Sequence, residues 1–134
     1  MKASKILNGI VPTARVLDRS LLLIVPNKDG IGKTINPRPV IESLYEEIFK
    51  YFTGLREWEE RGFWINAQGK LIREENTILK VSFQEDQEEE IGRLIVRFKK
   101  LAASVLNQET VAVELDGKLN LIPVSPKKND DTDE

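Results

Sequence analysis

The sequence predicts an α+β fold: a two-layer, ferredoxin-like sandwich of βαββαβ order plus an edge strand. Both helices would lie on one face of a mainly antiparallel sheet. Three observations predict it. Two segments carry apolar residues at helical spacing along a single stripe. Strand-like runs flank them in the order strand, helix, strand, strand, helix, strand. Two turn signals, Asn66-Ala67-Gln68-Gly69 and Asp116-Gly117, join neighbouring strands.

The elements follow in order. Residues 1–20 read as an N-terminal arm, because Pro12 interrupts any regular element there. Leu21 to Val25 is apolar at every position, which suits a strand buried on both faces. Asn27 to Asn36 is a glycine-containing loop, and Pro37 or Pro39 then opens a helix. Val40, Ile41, Leu44, Tyr45, Ile48, Phe49 and Phe52 form its apolar stripe, with Gly54 as the stop signal.

Leu55 to Asn66 and Leu71 to Phe83 read as a hairpin, with Gly62 marking a bulge or a close backbone contact. Without a bulge, Trp58 and Trp64 share a sheet face. Leu79, Val81 and Phe83 alternate with Lys80 and Ser82, giving one buried face and one wet face. Asp86 is placed to cap the second helix, whose stripe runs from Ile91 to Leu106. Val111, Val113 and Leu115 make the next strand, and Leu119 to Val124 a short edge strand. Residues 21–124 therefore form the domain. Residues 125–134 form an acidic tail that is expected to be disordered.

Composition narrows the chemistry. The chain has 134 residues, no cysteine and no histidine. Disulfides, thiolate metal sites, cysteine nucleophiles and histidine-dependent triads are excluded. The net charge is −2. Four of the 22 acids lie in the last six residues, so the remainder is near neutral. No strong field recruits nucleic acid or a membrane surface. No apolar run is long enough to span a bilayer, and a cytoplasmic protein without a resident cofactor or metal is expected.

One string invites a phosphate-binding reading. Lys28-Asp29-Gly30-Ile31-Gly32-Lys33-Thr34 follows a buried strand and resembles the phosphate loop of partition-type ATPases, with Gly30, Gly32, Lys33 and Thr34 as the binding residues. Asp29, however, replaces a glycine and would aim a carboxylate at the phosphates. Asn36-Pro37-Arg38-Pro39 also keeps the chain extended where a helix should begin at once. A glycine turn is the preferred reading. The acidic run from Glu85 to Glu90 reads as a helix start and solvated face rather than a metal site.

Two separated blocks carry a family resemblance. One is Gly62-Phe63-Trp64, then Gly69, then Leu71-Ile72-Arg73-Glu74; the other is Gln108-Glu109-Thr110-Val111. Together they resemble a family of small bacterial proteins classed only as a domain of unknown function. The chain departs from the family pattern at Asn76, often Ser there, and lacks a tryptophan in the first helix. The resemblance implies the fold and flags residues, but no chemistry.

Two functional expectations follow. With no recognisable catalytic set and one uncovered sheet face, the leading one is a non-catalytic binding or regulatory module. It would act through protein–protein contacts, as a homodimer or with a protein partner. The second is a metabolite-binding protein or small enzyme whose pocket uses Trp64, Arg73, Glu74, Gln108 and Glu109. It requires those five to cluster rather than be tied up in internal hydrogen bonds.

Overall fold

A computed structural model describes residues 15–124 and Gly9. The remainder of residues 1–14 and the tail at 125–134 lie outside the described residues. The elements are β1 (Arg19–Val25), α1 (Arg38–Tyr51), β2 (Arg56–Ile65), β3 (Leu71–Phe83), α2 (Glu88–Ser104), β4 (Thr110–Leu115) and β5 (Lys118–Pro123). A 3-10 turn at Glu85–Gln87 leads into α2. The five strands form one sheet in the order β2-β3-β1-β4-β5, and every adjacent pair is antiparallel. This is a mixed α and β chain with a five-stranded antiparallel sheet and two helices.

The core lies between the sheet and the helices. Leu21, Leu23 and Val25 of β1 and Leu79, Val81 and Phe83 of β3 point toward it from alternate positions. Val40, Ile41, Leu44 and Ile48 of α1 and Ile91, Leu94, Phe98 and Leu101 of α2 meet them. Burying each such side chain contributes about 1.5–3 kcal/mol. The predicted stripes hold except at their rims, where Phe49 and Val105 are exposed.

Several local expectations are corrected. β1 is not equally buried on both faces: Leu22 and Ile24 are only half-buried because no helix covers their side. That side carries an apolar row across all five strands, Trp58, Ile78, Ile24, Ala112 and Leu121. Ile78 is shielded within the row, whereas Leu121 is 66% exposed. The uncovered face of β3 is also not uniformly wet, since Ile72, Asn76 and Ile78 on it are buried.

Gly62 makes no bulge. The β2–β3 register runs unbroken from Arg56–Lys80 to Ile65–Leu71, so Trp58 and Trp64 do share a face. Gly54 does not end α1 in a left-handed cap, because the helix stops at Tyr51 with Phe52 already extended. Asp86 does not cap α2. Gln84 and Gln87 bond reciprocally instead, each side chain accepting from the other's backbone N–H. β1 begins two residues before Leu21, since Arg19 and Ser20 belong to it.

The Asp116-Gly117 turn forms as predicted, with φ of 54° and 81°. Arg19 bonds the Asp116 carboxylate and Glu88, and lies over the Phe83 ring, which ties the start of β1 to that turn and to α2. Among the described residues, no helix is long and apolar enough to cross a membrane.

Candidate functional site

The loop after β1 is built by one carboxylate. Asp29 is buried, and its Oδ1 accepts from the N–H groups of Ile31 at 3.1 Å and Lys33 at 2.8 Å. The Asp29 N–H donates to the Lys33 carbonyl, and Lys28 and Thr34 pair as an isolated antiparallel bridge. The loop is a small closed hairpin. Two of the N–H groups that a phosphate cradle would offer are already occupied by Asp29 itself. Gly32 sits at its tip with φ of 92°, and a Cβ there would lie 2.8 Å from Ile72 Cδ1. Glycine is required both by conformation and by the close approach to β3.

Two further contacts fix this loop in the fold. Asn27 Oδ1 accepts from the Glu75 N–H of β3 at 2.9 Å. Gln108, buried just before β4, donates its side-chain amide to the Lys28 carbonyl at 2.7 Å and to the Leu106 carbonyl at 3.1 Å. Glu109 is exposed, and its side chain lies against Gly30. The loop thus spans from the β4 entry to the β2–β3 hairpin.

The hairpin presents two faces beside the loop. Arg61, Phe63, Arg73 and Glu75 share one, in register as Arg61–Glu75 and Phe63–Arg73. With Asn27, Lys28 and Glu74 they line an open cleft of about 480 Å³. Gly62, Trp64, Glu74 and Asn76 share the other face. Gly62 and Asn76 are crowded together, since a Cβ on Gly62 would lie 2.5 Å from Asn76 Nδ2.

Glu74 is the group of this region whose ionisation is shifted. Burial pushes its carboxyl above the usual carboxylate range, while the Trp64 indole and the Lys28 ammonium pull the other way. Its Oε1 is buried with no hydrogen-bond partner among the described residues. Groups of this kind are enriched at functional sites.

The five residues singled out by sequence divide accordingly. Trp64 and Glu74 come together on one face, and Arg73 stands on the opposite face of the same strand. Gln108 does not pair with Arg73. Its amide nitrogen donates to the Lys28 and Leu106 carbonyls, so it ties the loop to the β4 entry. Glu109 reaches the loop from outside. Lys28 links the two groups, through its carbonyl to Gln108 and its ammonium to Glu74.

Sequence reasoning missed Asn27, Lys28 as a partner of Glu74, and Asn76. The signal at Asn76 was legible: asparagine is depleted in strands, yet it sits mid-strand between Glu74 and Ile78. Among the described residues, no group of three or more Asp or Glu is arranged to hold a metal ion.

No protein-family model matches the chain, and no curated protein matches it by sequence. Two solved structures are similar in fold. One is a phage SAM lyase in complex with S-methyl-5′-thioadenosine, with a TM-score of 0.64 at 17% identity, covering 84% of this chain and 95% of that one. The other is a phage SAM lyase in the apo state, with a TM-score of 0.56 at 15% identity and coverage of 84% and 92%. At these identities the likeness establishes the fold. It overturns the leading functional expectation of a non-catalytic protein–protein module, because the fold is one that an enzyme uses.

Proposed function

We propose that the chain is a small enzyme acting on an adenosyl sulfonium compound of the S-adenosylmethionine class, with Glu74 as the central charged group of its site. The observation that carries the reading is the Glu74 carboxylate, raised by burial, incompletely paired, and set on the same face of the hairpin as Trp64. The fold likeness to a phage SAM lyase supports that substrate class. Within this reading the sandwich is of the ferredoxin-like kind with an added edge strand, supported by the strand order.

The reaction class sets what the site must do. A lyase acting on a sulfonium breaks one C–S bond. The electron pair passes to sulfur, which loses its positive charge and leaves as a neutral thioether. The carbon fragment completes its valence internally, by giving up a proton or by closing on its own carboxylate, so no water is consumed.

Positive charge on sulfur falls along this path. A carboxylate pressed against the sulfur would therefore stabilise the starting state more than the transition state. A partly dry site with its carboxylate directed at another part of the substrate avoids that penalty. Trp64 offers aromatic surface to the substrate, and Gln108 and Asp29 hold the loop that brings Lys28 to Glu74.

The test is to incubate the purified protein with S-adenosylmethionine and follow S-methyl-5′-thioadenosine by liquid chromatography and mass spectrometry. Product above a protein-free blank is expected, with a loss on the order of tenfold or more in Glu74→Gln. No product, together with no binding of S-adenosylmethionine by calorimetry, would overturn the reading.

A further inference from the structure

We propose that Asn76 and Glu74 together form a subsite for a primary ammonium group, the amino end of the ligand class proposed above; the identity of that ligand rests on the preceding reading, whereas the subsite does not. Among the described residues, three buried side-chain oxygens have no hydrogen-bond partner: Glu74 Oε1, Asn76 Oδ1 and Glu90 Oε1. Two of the three lie two residues apart on β3, and strand alternation puts them on one face. Asn76 is only 8% exposed. Buried oxygens normally find a partner, and two adjacent failures in one strand mark a place that expects one from outside the chain.

The Trp64 indole of β2 bonds the Glu74 carboxylate yet leaves Oε1 without a partner, and the residues directly opposite offer no further donor. Across the β2 register, Glu74 faces Gly62, which has no side chain, and Asn76 faces Glu60, which when ionised only accepts. On the other side, the β1 pairing ends at Val25–Thr77, and the next residue, Pro26, has no N–H. Lys28 acts on the charge of Glu74 yet leaves Oε1 without a bond.

The chemistry of the pair selects the ligand group. An amide oxygen requires a donor, and a half-buried carboxylate requires donors and positive charge. A sulfonium supplies charge but no donor. A primary ammonium supplies three donors and a full charge at one atom. Trp64, on the same face, adds an aromatic surface that attracts a cation. Both oxygens are shielded, so binding includes a rotation of the half-buried Glu74 side chain. An ammonium held here also directs the carboxylate away from the sulfur, as the proposed chemistry requires.

The experiment compares S-adenosylhomocysteine with S-methyl-5′-thioadenosine by calorimetry. Both are neutral adenosyl thioethers, and only the first carries the ammonium-bearing arm. Asn76→Leu, nearly isosteric, should weaken S-adenosylhomocysteine on the order of tenfold and leave the thioadenosine unchanged. Asn76→Asp, which keeps an acceptor and adds charge, should tighten the first ligand alone, and it carries the test if the leucine variant does not fold. Equal weakening of both ligands, or no change in either, overturns the subsite.

A parallel titration with 1,4-diaminobutane follows the Asn76 side-chain amide by NMR. If neither nucleoside binds but the diamine shifts that resonance, the adenosyl reading fails and the subsite stands. If none of the three probes moves it, the subsite falls.

Discussion

The Gln108 side chain donates to the Lys28 carbonyl at 2.7 Å, joining residues 80 positions apart in sequence. Gln108 is 5% exposed, so the bond is made in a dry setting. It anchors the loop after β1 to the entry of β4, and the same loop carries the ammonium that faces Glu74. One buried amide therefore fixes the backbone of the residue whose ammonium acts on Glu74.

Gln108→Ala should leave the Lys28 carbonyl without this donor and destabilise the fold by about 1–3 kcal/mol. Urea denaturation measures the change. Because the loop loosens, binding at the cleft should weaken as well. A variant with unchanged midpoint would mean that water replaces the amide.

Gly62→Ala should destabilise the hairpin, because its Cβ would lie 2.5 Å from Asn76 Nδ2. Overpacking of this kind costs about 1–3 kcal/mol. In an Asn76→Ala background the same substitution should be neutral or mildly stabilising, since alanine suits a strand better than glycine. A double-mutant cycle reads the coupling. Additive effects would show that the two positions do not touch.

Glu74 gives a pH signature of defined sign. Its folded-state pKa is raised by burial, so its contribution to stability is fully present below its unfolded value and is lost as pH rises through the folded one. Glu74→Gln should therefore be more stable than the parent at neutral pH, with the difference closing in acid. Melting temperatures of the two proteins across pH 3 to 8, a range set by ordinary carboxylate values, test this. A gap that is constant with pH would mean that Glu74 does not titrate on folding.

Asp116 runs in the opposite direction. The Arg19 side chain and the Ser20 N–H hold its carboxyl below the usual range. Its contribution is present above the unfolded value and is lost as pH falls through the folded one. Asp116→Asn, which tolerates the positive φ of this turn, should flatten the acid limb of the stability profile. The pair is partly exposed, so salt should shrink the effect.

The loop from Lys28 to Thr34 should bind no nucleoside triphosphate, because Asp29 already takes the N–H groups of Ile31 and Lys33. Asp29→Asn keeps an acceptor oxygen and should be nearly silent, whereas Asp29→Ala should lose about 1–2 kcal/mol. Calorimetry with magnesium and ATP, and denaturation of the two variants, check the two halves of this expectation. Heat of binding in the parent would restore the phosphate reading.

Periodicity alone determined the two helices, the order of the strands and most of the core. Apolar residues recur every three to four positions in one case and every two in the other, and burial follows that spacing locally. The Asp116-Gly117 turn was equally legible, since its positive φ values restrict the residue choice.

Only the tertiary structure decided the rest. Leu21 to Val25 looks buried on both sides in sequence, yet one face lacks a helix, and nothing local records which face the helices cover. Likewise Trp64, Arg73, Glu74, Gln108 and Glu109 are legible as polar or aromatic residues in strands and turns. Which of them meet depends on the strand register and on a loop closed by Asp29. Asn76 and Lys28 became site residues because long-range pairing placed one beside Glu74 without a partner and brought the other within electrostatic reach of it. Those relations belong to the packing of distant segments, and sequence spacing does not encode them.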